Sequence, residues 1–423
     1  MRVLVWGINY APEQTGIAPY NTALCEHLRA HGHDARMLTT FAYYPAWKKQ
    51  PGDRGRLFRT DVIEGVPVHR CWHYVPAKVS SLKRILHEGT FVTLSALRLF
   101  FLPRADVLVV VSPPLLLGAA AWFVTRFKRM PSLFHVQDLQ PDAAAGLGLL
   151  KDGWFMRSLY WLEAFAYRKA ARVGGIMPGM LAAFRQKGVP ESKLVYFPNG
   201  AHLLAPEDLP APGAFRQRNG FRPDDFLVVY SGNLGVKQGL DILLDAAGLV
   251  TNPRVQFVIC GEGARRDVLA RRIATERLPN VRLLPLQPER EYHELLVDAD
   301  LCVITQQRGS GKFFFPSKLL TTLAFARPVL SVADAESELA RAIRQGRFGA
   351  NVGPGEPTAL ARAIEELAGD PSARQQAGQA GREYVRQFEA GTVLREFERV
   401  LIEIAASSER PSAVPDPGSA PVK

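Results

Sequence analysis

Short apolar runs alternate with segments of helical periodicity through the first half of the chain. Ile17, Leu24 and Leu28 recur at helical spacing, and further helices are predicted at Leu82–Leu102 and Trp154–Ala171. The strand-like runs are Arg2–Ile8, Ala35–Thr40, Val66–Cys71, Asp106–Val111, Ser132–Val136, Val173–Met177 and Leu194–Phe197. This repeated β-then-α order predicts a doubly wound α/β domain with a parallel sheet.

The same alternation restarts after a segment of different composition. Residues 206–222 are rich in proline, alanine and charge and are predicted to link a domain at 1–205 to a domain at 223–385. A helix is expected at 386–406 and a disordered tail at 407–423. The strands expected in the second domain are Phe226–Ser231, Val255–Cys260, Val281–Leu284, Leu301–Thr305 and Pro328–Val332. Ligand loops should follow the carboxyl ends of such strands.

Two glycine-rich loops are candidates for binding phosphate. The strand ending at Ser231 continues into 232–239, which contains three glycines and Lys237. Glycine lets a backbone approach an anion closely, and the following helix would direct N–H groups at it. The strand–glycine–helix order repeats at 261–263, so the two loops could bracket one nucleotide. An ordinary turn, in which the glycines only relieve steric crowding, remains open.

A third candidate loop contains Pro316, Ser317 and Lys318. Ser317 could cap the next helix and Lys318 lies in its first turn, where phosphate would be stabilised. The alternative for Lys318 is a solvated surface lysine. Asp298 and Asp300 could hold a divalent ion, but their position between a helix and a strand favours capping.

Composition and missing motifs narrow the class of ligand. The net charge of +11 favours an anionic partner, and no nucleic-acid-binding pattern is visible. The four scattered cysteines predict a reduced, cytoplasmic protein with no zinc site or disulfide framework. Residues 9–16 lack the glycine pattern of a nicotinamide-binding loop. Residues 309–312 resemble part of an NTPase loop, but Phe313 stands where Ser or Thr is required and the upstream Gly is missing.

Six motifs follow one another along the chain. They are Gly-x-Asn-Tyr-x-Pro-Glu-x-Thr-Gly-Ile at 7–17, His-Val-Gln-Asp-Leu-x-Pro-Asp at 135–142, Phe-Pro-Asn-Gly at 197–200, Ser-Gly-Asn-x-Gly-x-Lys-Gln-Gly at 231–239, Gly-Glu-Gly at 261–263 and Pro-Ser-Lys-Leu at 316–319. In this order they resemble the family-four retaining glycosyltransferases, most of all the bacterial colanic-acid and O-antigen enzymes. The match covers about residues 1–404.

The resemblance implies a GT-B fold, in which two Rossmann-like domains face each other across a cleft. The first would bind the acceptor and the second a UDP- or GDP-sugar, and the final helix would cross back to the first domain. The enzyme would be a retaining, hexosyltransferase-type glycosyltransferase without a cofactor or required metal. It would act in exopolysaccharide, capsule or O-antigen synthesis.

The resemblance and the loops together give the expected site. Gly16 would approach the donor phosphate, and His135, with Asp138 nearby, would lie close to the transferred sugar. The alternative for His135 is a hydrogen-bonded core histidine. The donor-binding residues expected are Gly232, Asn233, Lys237, Gln238, Gly261, Glu262, Ser317, Lys318 and Thr321.

Four positions depart from the usual family pattern. Relatives commonly have Arg where Asn233 stands and Lys where Gln238 stands, and both hold the diphosphate. They have glutamates where Phe313 and Thr321 stand. We expect Lys237 and Lys318 to supply the missing positive charge.

The resemblance also implies a lipid-linked acceptor, such as a polyprenyl-diphosphate glycan. Residues 82–102 combine Lys83, Arg84 and Arg98 with large apolar side chains, and Lys48, Lys49, Arg54 and Arg56 could add to a basic surface. Such a surface could attach peripherally to the inner face of an anionic membrane. A helix packed on the domain core is the competing interpretation. A sugar-nucleotide epimerase and a non-catalytic assembly partner remain alternative functions.

Overall fold

The structure is a computed structural model that describes residues 1–77, 80–146, 153–309, 311, 316 and 318–409. The chain forms two compact units. Unit 1 comprises Met1–Gln140, Gly153–Phe197 and Leu394–Lys423, and unit 2 comprises Pro141–Asp152 and Pro198–Val393. Among the described helices, none is long and apolar enough to cross a membrane.

Unit 1 contains an eight-stranded sheet. Its strands are β1 Arg2–Trp6, β2 Asp34–Thr40, β3 Phe58–Ile63, β4 Val66–Cys71, β5 Val107–Ser112, β6 Ser132–Val136, β7 Arg172–Gly175 and β8 Leu194–Tyr196. The order is β3-β4-β2-β1-β5-β6-β7-β8, and every pair is parallel except β3 with β4. The central strands β1 and β5 are buried almost throughout, as parallel strands covered on both faces require.

Helices follow most of these strands. They are α1 Ala18–Ala30, α2 Ser81–Phe101, α3 Leu116–Lys128, α4 Gln140–Gly146, α5 Trp154–Lys169 and α6 Pro178–Gln186. All of them lie in unit 1 except α4, which belongs to unit 2 from Pro141 onward. Helix α1 buries Leu24, Cys25 and Leu28 on one face, which is the periodicity that the sequence shows. Ser80 caps α2, because its side chain accepts the Lys83 N–H.

Unit 2 contains a six-stranded, fully parallel sheet. Its strands are β9 Phe226–Ser231, β10 Val255–Cys260, β11 Val281–Leu284, β12 Leu301–Thr305, β13 Val329–Val332 and β14 Gly349–Val352. The strand order is β11-β10-β9-β12-β13-β14, so β10 and β11 lie on one side of β9 and β12 to β14 lie on its other side. The sequence order of the strands therefore reverses between β9 and β12. In such sheets ligands bind beyond the carboxyl ends of the strands at this reversal.

The helices of unit 2 and the end of the chain complete the fold. They are α7 Ala214–Asn219, α8 Asp241–Leu249, α9 Arg266–Thr275, α10 Glu289–Asp298, α11 Lys318–Ala324, α12 Glu338–Gly346, α13 Pro357–Gly369, α14 Pro371–Val385 and α15 Ala390–Glu409. Helix α15 belongs to unit 1 from Leu394 onward, where Phe397 stacks on Phe197 at 3.6 Å between ring centroids. The remainder of the expected tail, 410–423, lies outside the described residues.

The segment 206–222 differs from the linker that its composition suggests. It contains α7, and Phe215 is fully buried in unit 2. The Asp298 carboxylate accepts the backbone N–H groups of Gly213 and Arg216 at 2.5 and 2.9 Å. Asp300 accepts the Leu227 N–H at 2.8 Å. Asp298 therefore caps the start of α7 and ties this segment to unit 2, in agreement with its expected capping role, whereas Asp300 satisfies an N–H group of β9.

Candidate functional site

The two glycine loops of unit 2 contact each other directly. They follow the neighbouring strands β9 and β10, whose last residues, Ser231 and Cys260, are paired. The Gly232 N–H donates to the Cys260 oxygen at 2.9 Å, and the Leu234 N–H donates to the Glu262 oxygen at 2.8 Å. The sequence-based expectation that the loops lie side by side at one sheet edge is therefore met.

The contact between the loops explains part of their glycine content. A Cβ on Gly261 would lie 1.8 Å from the Gly232 oxygen, and one on Gly263 would lie 2.5 Å from the Leu234 oxygen. Side chains cannot be accommodated at such distances. Close contact between the two loops therefore explains why Gly261 and Gly263 are glycines. The N–H groups of Gly232 and Leu234 are already bonded, so phosphate must be bound by other groups.

Lys318 is a cation that faces these loops. Its Nζ lies 3.5 Å from the Tyr230 ring centroid and 3.3 Å from the position of a Cβ on Gly232. The nitrogen is buried and has no hydrogen-bond partner among the described residues, although the residue as a whole is partly exposed. A solvated surface lysine would not have this environment. The structure instead places a desolvated amine beside the glycine loop.

Burial changes the acid–base behaviour of this amine. Loss of water lowers the pKa of Lys318 to about 7. A bound diphosphate would favour the ammonium form, because an opposite charge nearby offsets the loss of hydration. An anion placed near Lys318 Nζ would therefore stabilise the charged form of this amine.

The other expected donor-binding residues that the structure describes belong to the two glycine loops or to α11. Asn233 is exposed and Gln238 is partly buried, with a buried Oε1 that has no partner among the described residues. Lys237 is partly buried, and its carbonyl oxygen accepts the Gln307 N–H at 2.8 Å, which brings the end of β12 to the loop. Thr321 lies one turn after Lys318 in α11. Ser317 and Phe313 lie outside the described residues.

In unit 1, Gly16 lies in the loop between β1 and α1. It has φ +69°, and a Cβ there would be 3.5 Å from the Tyr44 ring. Glu13 organises the loop, because its carboxylate accepts the N–H groups of Tyr43 and Tyr44 at 2.8 Å. Burial raises the pKa of Glu13 despite these bonds. The sequence-based site omitted Glu13, although the motif around Gly16 contains it.

His135 occupies the core of unit 1. It is 2% exposed, and its ring lies 4.9 Å from Phe197 and 6.1 Å from Phe397 between centroids. Gln137 Nε2 donates to His135 Nε2 at 2.9 Å, and burial lowers the pKa of His135 to about 3. The geometry is that of a neutral, hydrogen-bonded core histidine rather than a residue on an open surface. Asp138 follows β6 and is half-buried.

Comparison with known families covers both halves of the chain. Residues 15–200 match the glycosyl transferase 4-like domain, and residues 213–384 match the glycosyl transferases group 1 family. A colanic acid biosynthesis glycosyl transferase, WcaI of Escherichia coli (strain K12), is 32% identical over 350 residues, which are 80% of this chain and 85% of the relative.

Solved structures agree on the fold. Sucrose-phosphate synthase from Thermosynechococcus elongatus superposes with a TM-score of 0.75 at 17% identity, over 96% of this chain and 99% of that one. Anabaena HepE, solved in complex with UDP-glucose, gives a TM-score of 0.69 at 17% identity, over 95% and 100% of the two chains. Two Rossmann-like units with parallel sheets and these family matches lead to one conclusion: the chain is a family-four glycosyltransferase of the GT-B fold class.

Proposed function

We propose that the protein transfers a sugar from a UDP- or GDP-sugar to a lipid-linked glycan, with retention of configuration, in bacterial exopolysaccharide, capsule or O-antigen synthesis. The sequence similarity to the colanic acid enzyme supports the pathway class. The neighbour that binds UDP-glucose supports a sugar-nucleotide donor. One observation carries the proposal: a buried amine without a hydrogen-bond partner among the described residues, Lys318 Nζ, beside two joined glycine loops.

The chemistry of the proposed reaction explains why such an amine is useful. Transfer breaks the bond between the sugar C1 and a diphosphate oxygen, so negative charge grows on the leaving group. A desolvated cation stabilises that charge more strongly than it would in water. The acceptor hydroxyl forms the new bond to C1, and its proton passes to the departing phosphate. Lys318 and Lys237 supply positive charge in this scheme, so we propose that no metal is required.

The remaining predicted residues take supporting roles in the proposal. Asn233 and Gln238 contribute neutral hydrogen bonds to the diphosphate, and Gly16 allows a close backbone approach. His135 acts as a positioning residue, because its buried ring bonds to Gln137 at the end of β6. Asp138 follows directly and would orient the sugar or acceptor.

Donor binding tests the proposal. Isothermal titration with UDP-glucose and GDP-mannose should show binding of one donor class, and Lys318→Met should weaken it at least tenfold, about 1.4 kcal/mol. Lys128→Met is the matched control, since Lys128 Nζ is a partly buried amine of unit 1 that bonds to the Leu102 oxygen at 2.6 Å. Equal affinities of the wild type and Lys318→Met would contradict the proposal.

Product analysis separates the proposed activity from the two alternatives. A transferase releases UDP or GDP only when an acceptor is present, apart from slow hydrolysis. An epimerase converts the donor alone into an isomer, and an assembly partner binds no donor at all. Full transfer in EDTA would support the absence of a required metal.

A membrane-facing surface is the second part of the proposal. Helices α2, α3 and α5 expose large apolar side chains on unit 1. Phe100 of α2 contacts Phe123 and Phe127 of α3 at 5.8 and 5.9 Å between ring centroids, so the apolar surface is continuous from α2 to α3. The exposed apolar residues of these two helices include Leu82, Ile85, Leu86, Leu97, Phe101, Phe123 and Phe127, and α5 adds exposed Trp154 and Trp161. The exposed cations Lys83, Arg104, Arg126 and Arg157 lie nearby in sequence.

Aromatic and aliphatic groups beside cations favour an anionic bilayer over a neutral one. Co-sedimentation should therefore be stronger with phosphatidylglycerol-containing vesicles than with phosphatidylcholine alone. The double variant Phe101→Ser/Phe127→Ser should lose sedimentation. Leu57→Ser/Val62→Ser, which also removes two exposed apolar side chains, should retain it. Equal behaviour of the two double variants would refute the assignment of this surface.

A further inference from the structure

Three histidines and one glutamate form a cluster in unit 1 that includes none of the residues assigned to sugar transfer. His27 lies in the last turn of α1, His31 follows the helix, and Glu398 belongs to α15. His27 Nε2 lies 2.8 Å from Glu398 Oε2, and His33 Nε2 lies 2.8 Å from Glu398 Oε1. The rings of His27 and His31 are 4.0 Å apart between centroids.

The cluster has the spacing of a metal site. One ring nitrogen each from His27 and His31 and one oxygen of Glu398 lie within 4.8 Å of one another. A tetrahedral zinc ion with bonds of about 2.1 Å holds its ligands roughly 3.4 Å apart. His31 is exposed, so its side chain can shift toward the ion without disturbing the core.

Surrounding hydrogen bonds orient the ligands. His31 Nδ1 donates to the His27 carbonyl oxygen at 2.8 Å, which leaves the lone pair on Nε2. Histidines that ligate metals are commonly held in this way, with one nitrogen on a backbone carbonyl and the other on the metal. His33 bonds to Glu398 Oε1, so Oε2 is the oxygen on the side of His27, and an ion there would replace the direct contact between His27 Nε2 and Oε2.

A neutral imidazole and an ionised carboxylate are the forms that bind metal, so protons compete with an ion at this cluster. The positive charge of Arg395, which acts on His27, opposes a cation here and argues for moderate affinity.

We propose that His27, His31 and Glu398 bind one divalent transition-metal ion of the zinc class, with water completing the coordination. Two imidazoles and one carboxylate suit zinc, cobalt or nickel better than magnesium or calcium, which prefer oxygen ligands only. The ion would cross-link α1 to α15 within unit 1. Helix α15 begins in unit 2 and belongs to unit 1 from Leu394 onward. The ion would therefore anchor the part of α15 that lies in unit 1 to α1.

Titration of the tag-free protein with ZnCl₂ tests this site. The wild type should bind one equivalent after EDTA treatment and dialysis, and thermal unfolding should shift to higher temperature. His31→Gln should weaken zinc binding at least tenfold, and Glu398→Gln should do the same. The control is His202→Gln, which removes an exposed histidine of unit 2 and should leave the affinity unchanged.

Cobalt provides a readout that does not depend on the variants folding. Co²⁺ in a tetrahedral site of the wild type should give visible absorption bands that zinc displaces, whereas Co²⁺ bound loosely by a surface histidine gives only weak octahedral bands. The absence of zinc binding at 100 μM free metal, or equal zinc affinities of the wild type and His31→Gln, would overturn the assignment. Donor affinity should be the same with and without zinc, so failure of this site would not affect the proposed transfer.

Discussion

Lys318 should make donor affinity depend on pH. Its amine has a pKa of about 7 in the free protein, because its nitrogen is buried beside Tyr230. If the bound diphosphate requires the ammonium form, the apparent dissociation constant scales with the inverse of the protonated fraction. That fraction is about 0.9 at pH 6 and about 0.1 at pH 8 for a pKa of 7. The affinity should therefore fall about tenfold between these values, or about 1.4 kcal/mol.

Whether donor binding takes up or releases a proton depends on whether the complex or the free protein binds the Lys318 proton more tightly. Donor binding raises the pKa of Lys318, so above pH 7 the complex forms with uptake of a proton. A sugar nucleotide is the suitable titrant, because its diphosphate is esterified at both ends and does not titrate between pH 6 and 8. Calorimetry in two buffers of different ionisation enthalpy should give uptake of about 0.9 proton at pH 8.

Two variants separate Lys318 from other titrating groups. Lys318→Arg keeps a positive charge at every pH used, so any remaining affinity should be independent of pH. Lys318→Met should be weak at both pH values and show no proton uptake. An unchanged tenfold pH dependence in Lys318→Arg, or a flat profile in the wild type, would refute the reasoning.

Three further predictions concern stability. Gly261→Ala, whose Cβ would lie 1.8 Å from the Gly232 oxygen, should cost more than about 3 kcal/mol of unfolding free energy or abolish donor binding. Gly89→Ala is the control, because Gly89 faces open space within α2, and it should be neutral or stabilising. Thermal denaturation of the two variants measures the difference. Asp298→Ala leaves the N–H groups of Gly213 and Arg216 without their acceptor and should cost about 1–3 kcal/mol in urea denaturation. Burial lowers the pKa of His69 to about 4 and that of His135 to about 3, so below pH 6.5 these histidines bind protons in the unfolded chain before they do so in the folded protein. The unfolding free energy should therefore fall below pH 6.5, by up to about 1.4 kcal/mol per pH unit for each histidine. An unfolding free energy that does not change between pH 6.5 and 5 would contradict this.

The periodicity of the sequence was sufficient to predict most of both sheets. Buried parallel strands such as β5 and β9 are continuous apolar runs, and such runs are easily recognised. The strand β3 was not predicted, because Arg59 and Asp61 interrupt its apolar pattern and it pairs antiparallel at the sheet edge. Edge strands need only half-buried side chains, so their pattern is weak.

Segments fixed by distant partners were harder to predict. Residues 206–222 have the composition of a linker, but Asp298 binds the backbone at Gly213 across 85 residues of sequence. No local pattern reveals such a pairing. The burial of Lys318 could not be predicted locally either. A loop motif identified this lysine as a candidate, but its burial against Tyr230 depends on the packing of α11 on β9.

The sequence predicted the arrangement of the candidate residues more completely in unit 2 than in unit 1. In unit 2 the motifs correctly placed Gly232 and Gly261 together, because adjacent parallel strands end at one edge. In unit 1 the motif at 135–142 located the end of β6 but not the direction of the His135 side chain. Alternation along a strand fixes which side chains share a face, and both faces of this strand are buried.

The most direct measurement is a crystal structure of the protein with UDP bound. The diphosphate should lie at the ends of β9, β10 and β12, within hydrogen-bonding distance of Lys318 Nζ. A nucleotide bound elsewhere, or a diphosphate at this edge that leaves Lys318 Nζ without contact, would contradict the proposed donor site.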